Sequence, residues 1–129
     1  MRTVLIDDDA TAVFLTKRLF QREGLGEGLA AFVSPVEAVA ALQEQALTGT
    51  LPHVILLDLN MPVMGGWDVL EALQPLEPHL RGRCAVYILT SSVSPADTNR
   101  AREYPLVVKL LHKPLDQAKI QAIQAQLPK

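Results

Sequence analysis

Val54-Ile55-Leu56-Leu57-Asp58-Leu59-Asn60-Met61-Pro62 is the stretch that decides the fold. Four consecutive apolar residues, two of them β-branched, have the make-up of a strand buried on both faces of a parallel sheet. A carboxylate, Asp58, follows at the point where such a strand runs out. In open α/β sheets, ligands and chemistry gather at the carboxyl ends of the strands. A single strand-end Asp can also be a turn former or a helix cap, so the rest of the chain has to decide between the two.

Working outward, the pattern repeats. Apolar runs at Val4–Ile6, Leu29–Val33, Ala85–Leu89 and Leu106–Leu111 predict four more strands. The run at Leu29 is the weakest, because Ala30 and Ala31 have low strand propensity. Amphipathic stretches lie between the runs. The first spans about Thr11 to Glu23 and stops at Gly24, with Ala12, Leu15 and Leu19 expected on one face. The second opens on Ser34-Pro35-Val36-Glu37, a capping box with proline at the first helical position. The third follows Gly65-Gly66 and carries Val69, Leu70 and Leu73. The fourth opens on Ser94-Pro95-Ala96-Asp97 and ends before Pro105. The fifth covers about Asp116 to Leu127, with Ile120, Ile123 and Leu127 aligned. Gln74–Arg83, with Pro75 and Pro78, reads as a longer loop. Five β-then-α units predict an α/β fold: a five-stranded parallel sheet of order 2-1-3-4-5, doubly wound, with five helices on its two faces.

A chain of 129 residues is expected to form one domain, 1–129, with no output domain behind it. Hydrophobic residues make up 49%, enough for a core. The net charge of -2 gives no reason to expect nucleic acid or an anionic membrane as direct partner. Arg81-Gly82-Arg83 is too short for a basic patch. One cysteine, Cys84, cannot form an intrachain disulfide and fits a reducing, cytoplasmic setting. No signal-peptide pattern opens the chain, and no apolar run approaches the ~20 residues of a membrane span.

The candidate functional residues stand at predicted strand ends: Asp7-Asp8-Asp9 after the first, Asp58 after the third, Thr90-Ser91-Ser92 after the fourth, His112-Lys113-Pro114 after the fifth. With order 2-1-3-4-5 the topological switch falls between strands one and three, so Asp7, Asp8 and Asp58 face one crevice. Carboxylates crowded together repel and hold their protons more tightly. A hard divalent cation such as Mg²⁺ offsets this while taking only one or two of them. Lys113 adds a positive charge and Thr90 a hydroxyl. Together these are the parts of a phosphoryl-transfer site, which works by positioning and charge neutralisation. Singly, each residue has a plainer role. Asp9 reads best as a helix N-cap, Thr90 as a turn cap, Lys113 as a surface lysine and Pro114 as a helix starter. His53, His79 and His112 show no ligand spacing, and Trp67 and Met64 are expected to pack or to rim the site. Their joint occurrence, in this order, favours the functional reading.

Leu5-Ile6-Asp7-Asp8, Leu56-Leu57-Asp58-Leu59-Asn60-Met61-Pro62 with Gly66, Ile88-Leu89-Thr90-Ser91 and Lys113-Pro114 together resemble the receiver domain of two-component response regulators over essentially the whole chain. The resemblance implies that Asp58 is the phosphoacceptor, charged from a phosphohistidine on a sensor histidine kinase or a histidine phosphotransfer protein. It implies Mg²⁺ bound by Asp8, with Asp7 alongside, by Asp58 and by the backbone carbonyl of Asn60. Lys113 would pair with the phosphoryl oxygens, Thr90 would hydrogen-bond them, and Ser91 and Pro114 would support the site. The Lys113–Pro114 bond is expected to be cis, as is usual in that family. A downstream protein would read the face formed by helix four, strand five and helix five. The chain departs from the family pattern at Leu110, where relatives carry a switch Tyr or Phe, and at Gly65, where many carry a polar side chain. Such a protein catalyses at most its own phosphorylation and dephosphorylation and is otherwise no enzyme.

Two alternatives stay open at this level. Asp7-Asp8-Asp9-Ala10-Thr11 spells the Asp-x-Asp-x-Thr motif of haloacid-dehalogenase-type phosphatases, with Asp7 as nucleophile. Against it, Asp116 is the only acid after the lysine that could complete that family's set, and Asp58–Pro62 is left unexplained. The other alternative is a receiver-like module that binds partners without being phosphorylated.

Overall fold

The computed structural model describes residues 1–127. Pro128 and Lys129, where the expected domain ends, lie outside the described residues. Five parallel strands, β1 (Thr3–Ile6), β2 (Leu29–Phe32), β3 (Val54–Asp58), β4 (Ala85–Thr90) and β5 (Val107–His112), form one sheet in the order β2-β1-β3-β4-β5. Five helices connect and cover them: α1 (Ala10–Arg22), α2 (Pro35–Thr48), α3 (Gly66–Leu73), α4 (Pro95–Ala101) and α5 (Gln117–Ala125). This is the architecture expected from the sequence.

Successive residues of a strand point to opposite faces of a sheet, and the core divides accordingly. On one face Val4, Ile6, Ile55, Leu57, Val86 and Ile88 pack beneath α2 and α3. On the other, Leu5, Val54, Leu56, Tyr87, Leu89 and Leu111 meet Val13 and Phe20 of α1 and Ile120 and Ile123 of α5. Central β3 is buried at every position, which is why its sequence runs apolar without alternation. Edge strand β2 is half-exposed, and there the two alanines are tolerated.

The helix starts follow the capping signals. Asp9 accepts from the N–H groups of Thr11 and Ala12, Ser34 from Glu37, Ser94 from Asp97 and Asp116 from Lys119. Each satisfies a backbone donor that the first helical turn leaves free. Gly49, just past α2, takes the left-handed conformation (φ 73°) that glycine adopts without steric penalty.

Two expectations need correction and a third is refined. Gln74–Arg83 is not an open loop: α3 runs on into a 3₁₀ turn at Gln74–Leu76 and a single helical turn at Glu77–Leu80. Each of its prolines sits in the first turn of its segment, where a missing N–H costs nothing. On α1, Ala12, Leu15 and Leu19 do share one face, but that face is not the one in the core: Leu15 is 59% exposed, and Val13 and Phe20 make the contact with the sheet. Val33 lies beyond the end of β2 and is exposed. Among the described residues, no helix is long and apolar enough to cross a membrane.

Candidate functional site

The carboxyl ends of β1, β3, β4 and β5 are adjacent on one sheet edge, and backbone bonds tie them together. The Asp7 N–H donates to the Phe32 carbonyl (3.1 Å), Leu59 N–H to Leu89 (3.0 Å) and Lys113 N–H to Thr90 (2.8 Å). The loop after β3 returns sharply into α3, where the Gly66 N–H donates to the Leu59 carbonyl at 2.9 Å. Gly66 is needed there because a Cβ would stand 2.9 Å from the Asp58 carbonyl oxygen and 3.0 Å from Leu59 Cα. Both obstacles are backbone and cannot swing away. Gly65 has no side chain with which to cap α3. Its N–H donates to the Asp68 carboxylate at 3.0 Å, so half of a capping box is present.

Asp7 is 2% and Asp58 5% exposed, while Asp8 is open to solvent. Lys113 reaches between the buried pair: its Nζ lies 3.0 Å from Asp7 Oδ2 and 3.1 Å from Asp58 Oδ1. The Asp9 N–H donates to Asp7 Oδ1 at 3.0 Å. Burial pushes the Asp58 carboxyl above its ordinary pKa, and the Asp7 charge pushes it further; the ammonium of Lys113 and the N–H of Asn60 offset only part of this. Burial alone would pull the Lys113 ammonium down, but its bonds and attraction to Asp7 and Asp58 prevail and hold it above its ordinary value.

Lys113 precedes a cis peptide bond to Pro114, as expected. The turn is bracketed by a residue that sequence reasoning missed. Lys119 Nζ, in the first turn of α5, donates to the carbonyls of His112 (2.6 Å) and Pro114 (2.9 Å). No spacing in the sequence announces that role.

One oxygen from each of Asp7, Asp8 and Asp58 lies within 4.8 Å of the others. Three carboxylates facing one ammonium leave excess negative charge, and every donor is a hard oxygen. That set fits Mg²⁺. Asn60, exposed and directly after Leu59, stands beside the cluster.

Thr90 is brought to the same edge and is buried, yet its hydroxyl is engaged elsewhere. Its Oγ1 donates to the Ser92 carbonyl (3.1 Å) and accepts from the Ser92 N–H (3.2 Å). Ser91 follows it, exposed. Leu110 is partly buried on β5, beside an open groove between β5 and α4 that Val93, Ala101 and Val108 also line. Tyr104 is buried against the α2/α3 side of the core, and Trp67 packs beside it. Trp67 thus packs rather than rims the acidic edge.

The family model described as response regulator receiver domain matches residues 3–124. The chain belongs to that family. Among solved structures, a two-component response regulator from Cytophaga hutchinsonii superimposes with a TM-score of 0.88 at 27% identity, covering 97% of this chain and 94% of the other. A response regulator receiver protein from Dyadobacter fermentans gives 0.84 at 28%, covering 98% and 96%. A curated relative, a protein-glutamate methylesterase/protein-glutamine glutaminase from Burkholderia thailandensis, is 37% identical over 78 residues, 60% of this chain. The matched stretch spans 20% of that relative's length. The receiver family is a signalling module, and this chain carries its fold and an aspartate cluster at the family's strand ends.

Proposed function

We propose that Asp58 accepts a phosphoryl group from the phosphohistidine of a sensor kinase or histidine phosphotransfer protein, and that the phosphorylated chain then binds a downstream protein or passes the group on. The observation that carries this reading is Lys113 Nζ held between Asp7 and Asp58 at 3.0 and 3.1 Å. An ammonium already in contact with the acceptor carboxylate is placed for the oxygens of an incoming phosphoryl group. An Asp58 oxygen attacks phosphorus, the P–N bond to the donor histidine breaks, and the imidazole departs with the bonding electron pair. Mg²⁺, held by Asp7, Asp8, Asp58 and the Asn60 carbonyl, would neutralise charge on the transferred group. Burial of Asp58 limits access of bulk water to the acyl phosphate. Thr90 would leave Ser92 to hydrogen-bond the phosphoryl group, with Ser91 and Pro114 shaping the loops around it. The partly exposed face of α4, β5 and α5, including Leu110 and exposed Val108, would carry the readout. The same reading places the protein in the cytoplasm as a phosphoprotein with no direct nucleic-acid or membrane contact.

Incubation with acetyl phosphate and Mg²⁺, followed by borohydride reduction of the acyl phosphate and peptide mapping, tests this. Modification is expected at Asp58. Modification at Asp7 would favour the phosphatase alternative, which the family match does not support. No modification, together with full cellular function of Asp58→Asn, would favour phosphorylation-independent binding.

A further inference from the structure

Two i, i+4 pairs face each other on the α2/α3 side of the sheet. Trp67, at the start of α3, and Glu71 lie one turn apart. Arg100, in the last turn of α4, and Tyr104, just beyond it, form the second pair. The Tyr104 ring stacks on Trp67, with centroids 5.7 Å apart and planes 22° apart. The Arg100 guanidinium lies 4.9 Å from the centroid of the Trp67 ring. The Tyr104 hydroxyl donates to Glu71 Oε1 at 2.6 Å. Helix α3 packs closely against α2 but not against α4, so these side chains join helices whose backbones do not pack closely.

The two ends of this clasp are differently tethered. The Trp67 side is fixed to the acidic edge, since Gly66 abuts the Asp58 carbonyl and bonds Leu59. The Arg100 side terminates a short helix whose start, Ser94, hangs from the Thr90–Ser92 turn. A movement of Thr90 towards Asp58 would undo that turn and pull on the start of α4, while the clasp holds its end.

We infer that the Trp67–Tyr104 stack, with Arg100 and Glu71, is the latch that holds α4 in its resting position and sets how readily Asp58 switches it. This rests on the reading of Asp58 as phosphoacceptor. It supplies a conformational readout in a chain whose β5 carries Leu110 in place of an aromatic. Phosphorylation then works against the latch: the Tyr104–Glu71 bond and the stack must loosen for α4 to move.

Trp67 is the single tryptophan, so its emission reports the latch directly. Beryllofluoride with Mg²⁺ serves as the phosphoryl mimic, and fluorine NMR reports formation of the adduct independently. Tryptophan emission is expected to shift in proportion to adduct formation. Tyr104→Phe keeps the stack but removes the hydrogen bond. It is expected to lower the beryllofluoride concentration at half-saturation by about fivefold, the factor one net hydrogen bond supplies, while also lowering the Tm. A purely structural clasp would lower the Tm and leave half-saturation unchanged. That result, or a stoichiometric adduct with unchanged emission, would overturn the latch and leave Asp58 as acceptor. Absence of any adduct in the native protein would overturn both.

Discussion

The β1/β3 half of the acidic edge and the β4/β5 half are built to different standards. On the first, Asp7 and Asp58 are buried, the strands pair in unbroken register, and the loop into α3 has no room for a methyl group at Gly66. On the second, the pairing of β4 with β5 shifts register further back along the strands, between Val86 and Tyr87, Val108 is half-exposed, and the Thr90 hydroxyl is bonded only within its own turn. Charge is gathered where the backbone cannot yield, and the groups proposed to respond stand where it can. Phosphoryl transfer needs fixed positions, whereas switching needs two arrangements of nearly equal free energy.

The largest effect should come from Asp58→Asn, which is expected to abolish acetyl-phosphate labelling while leaving the protein more stable at neutral pH. The Asp58 carboxyl titrates above its ordinary value of 3.8, so the folded chain keeps this proton to higher pH than the unfolded chain does. Its contribution is therefore full below the unfolded pKa and is lost as pH rises through the folded pKa. The Tm difference between Asp58→Asn and the native protein should grow across that window; a difference constant with pH would contradict the assignment.

Gly66→Ala probes the stiffness of the same half. With backbone on two sides of the new methyl group, it should cost about 3 kcal/mol in urea unfolding. A loss under about 0.5 kcal/mol would mean that the loop has slack. Lys113→Ala should leave the fold intact and cost about 2 kcal/mol, below the range for a fully buried pair because the lysine side chain is 25% exposed. Added Mg²⁺ should restore part of that loss, and the phosphorylated variant should no longer shift α4 in NMR spectra. On the yielding half, Leu110→Phe should change stability by no more than about 0.5 kcal/mol, because the side chain borders an open groove. A large loss there would erase the contrast between the halves.

All five strands could be read from apolar runs, with ends displaced by a residue or so: burial on both faces leaves an unambiguous pattern in β1, β3 and β4, and the edge strands β2 and β5 keep a weaker apolar run although part of each is exposed. The helix starts could be read as well, since Asp9, Ser34, Ser94 and Asp116 are local signals answered by bonds two or three residues away. The acidic cluster followed from strand ends plus topology. What the sequence withheld depends on long-range packing. Leu15 has the right spacing for a core face, but the roll of α1 on the sheet, set by Val13 and Phe20, turns it outward. Trp67/Glu71 and Arg100/Tyr104 each show helical spacing, yet nothing local says that the two pairs meet. Nor does Thr90 reveal that its hydroxyl rests on Ser92.

The bond between Lys113 and Asp7 joins residues 106 positions apart. During synthesis from the amino terminus, Asp7, Asp8 and Asp58 all leave the ribosome well before the lysine that balances them. An unfinished chain that pairs β1 with β3 brings these carboxylates together with no ammonium among them, so the acidic crevice disfavours early closure until a cation or the lysine takes its place. The last strand to be made both completes the sheet and brings the first positive charge to its edge, and possession of a working site therefore requires that the chain has closed from β1 to β5.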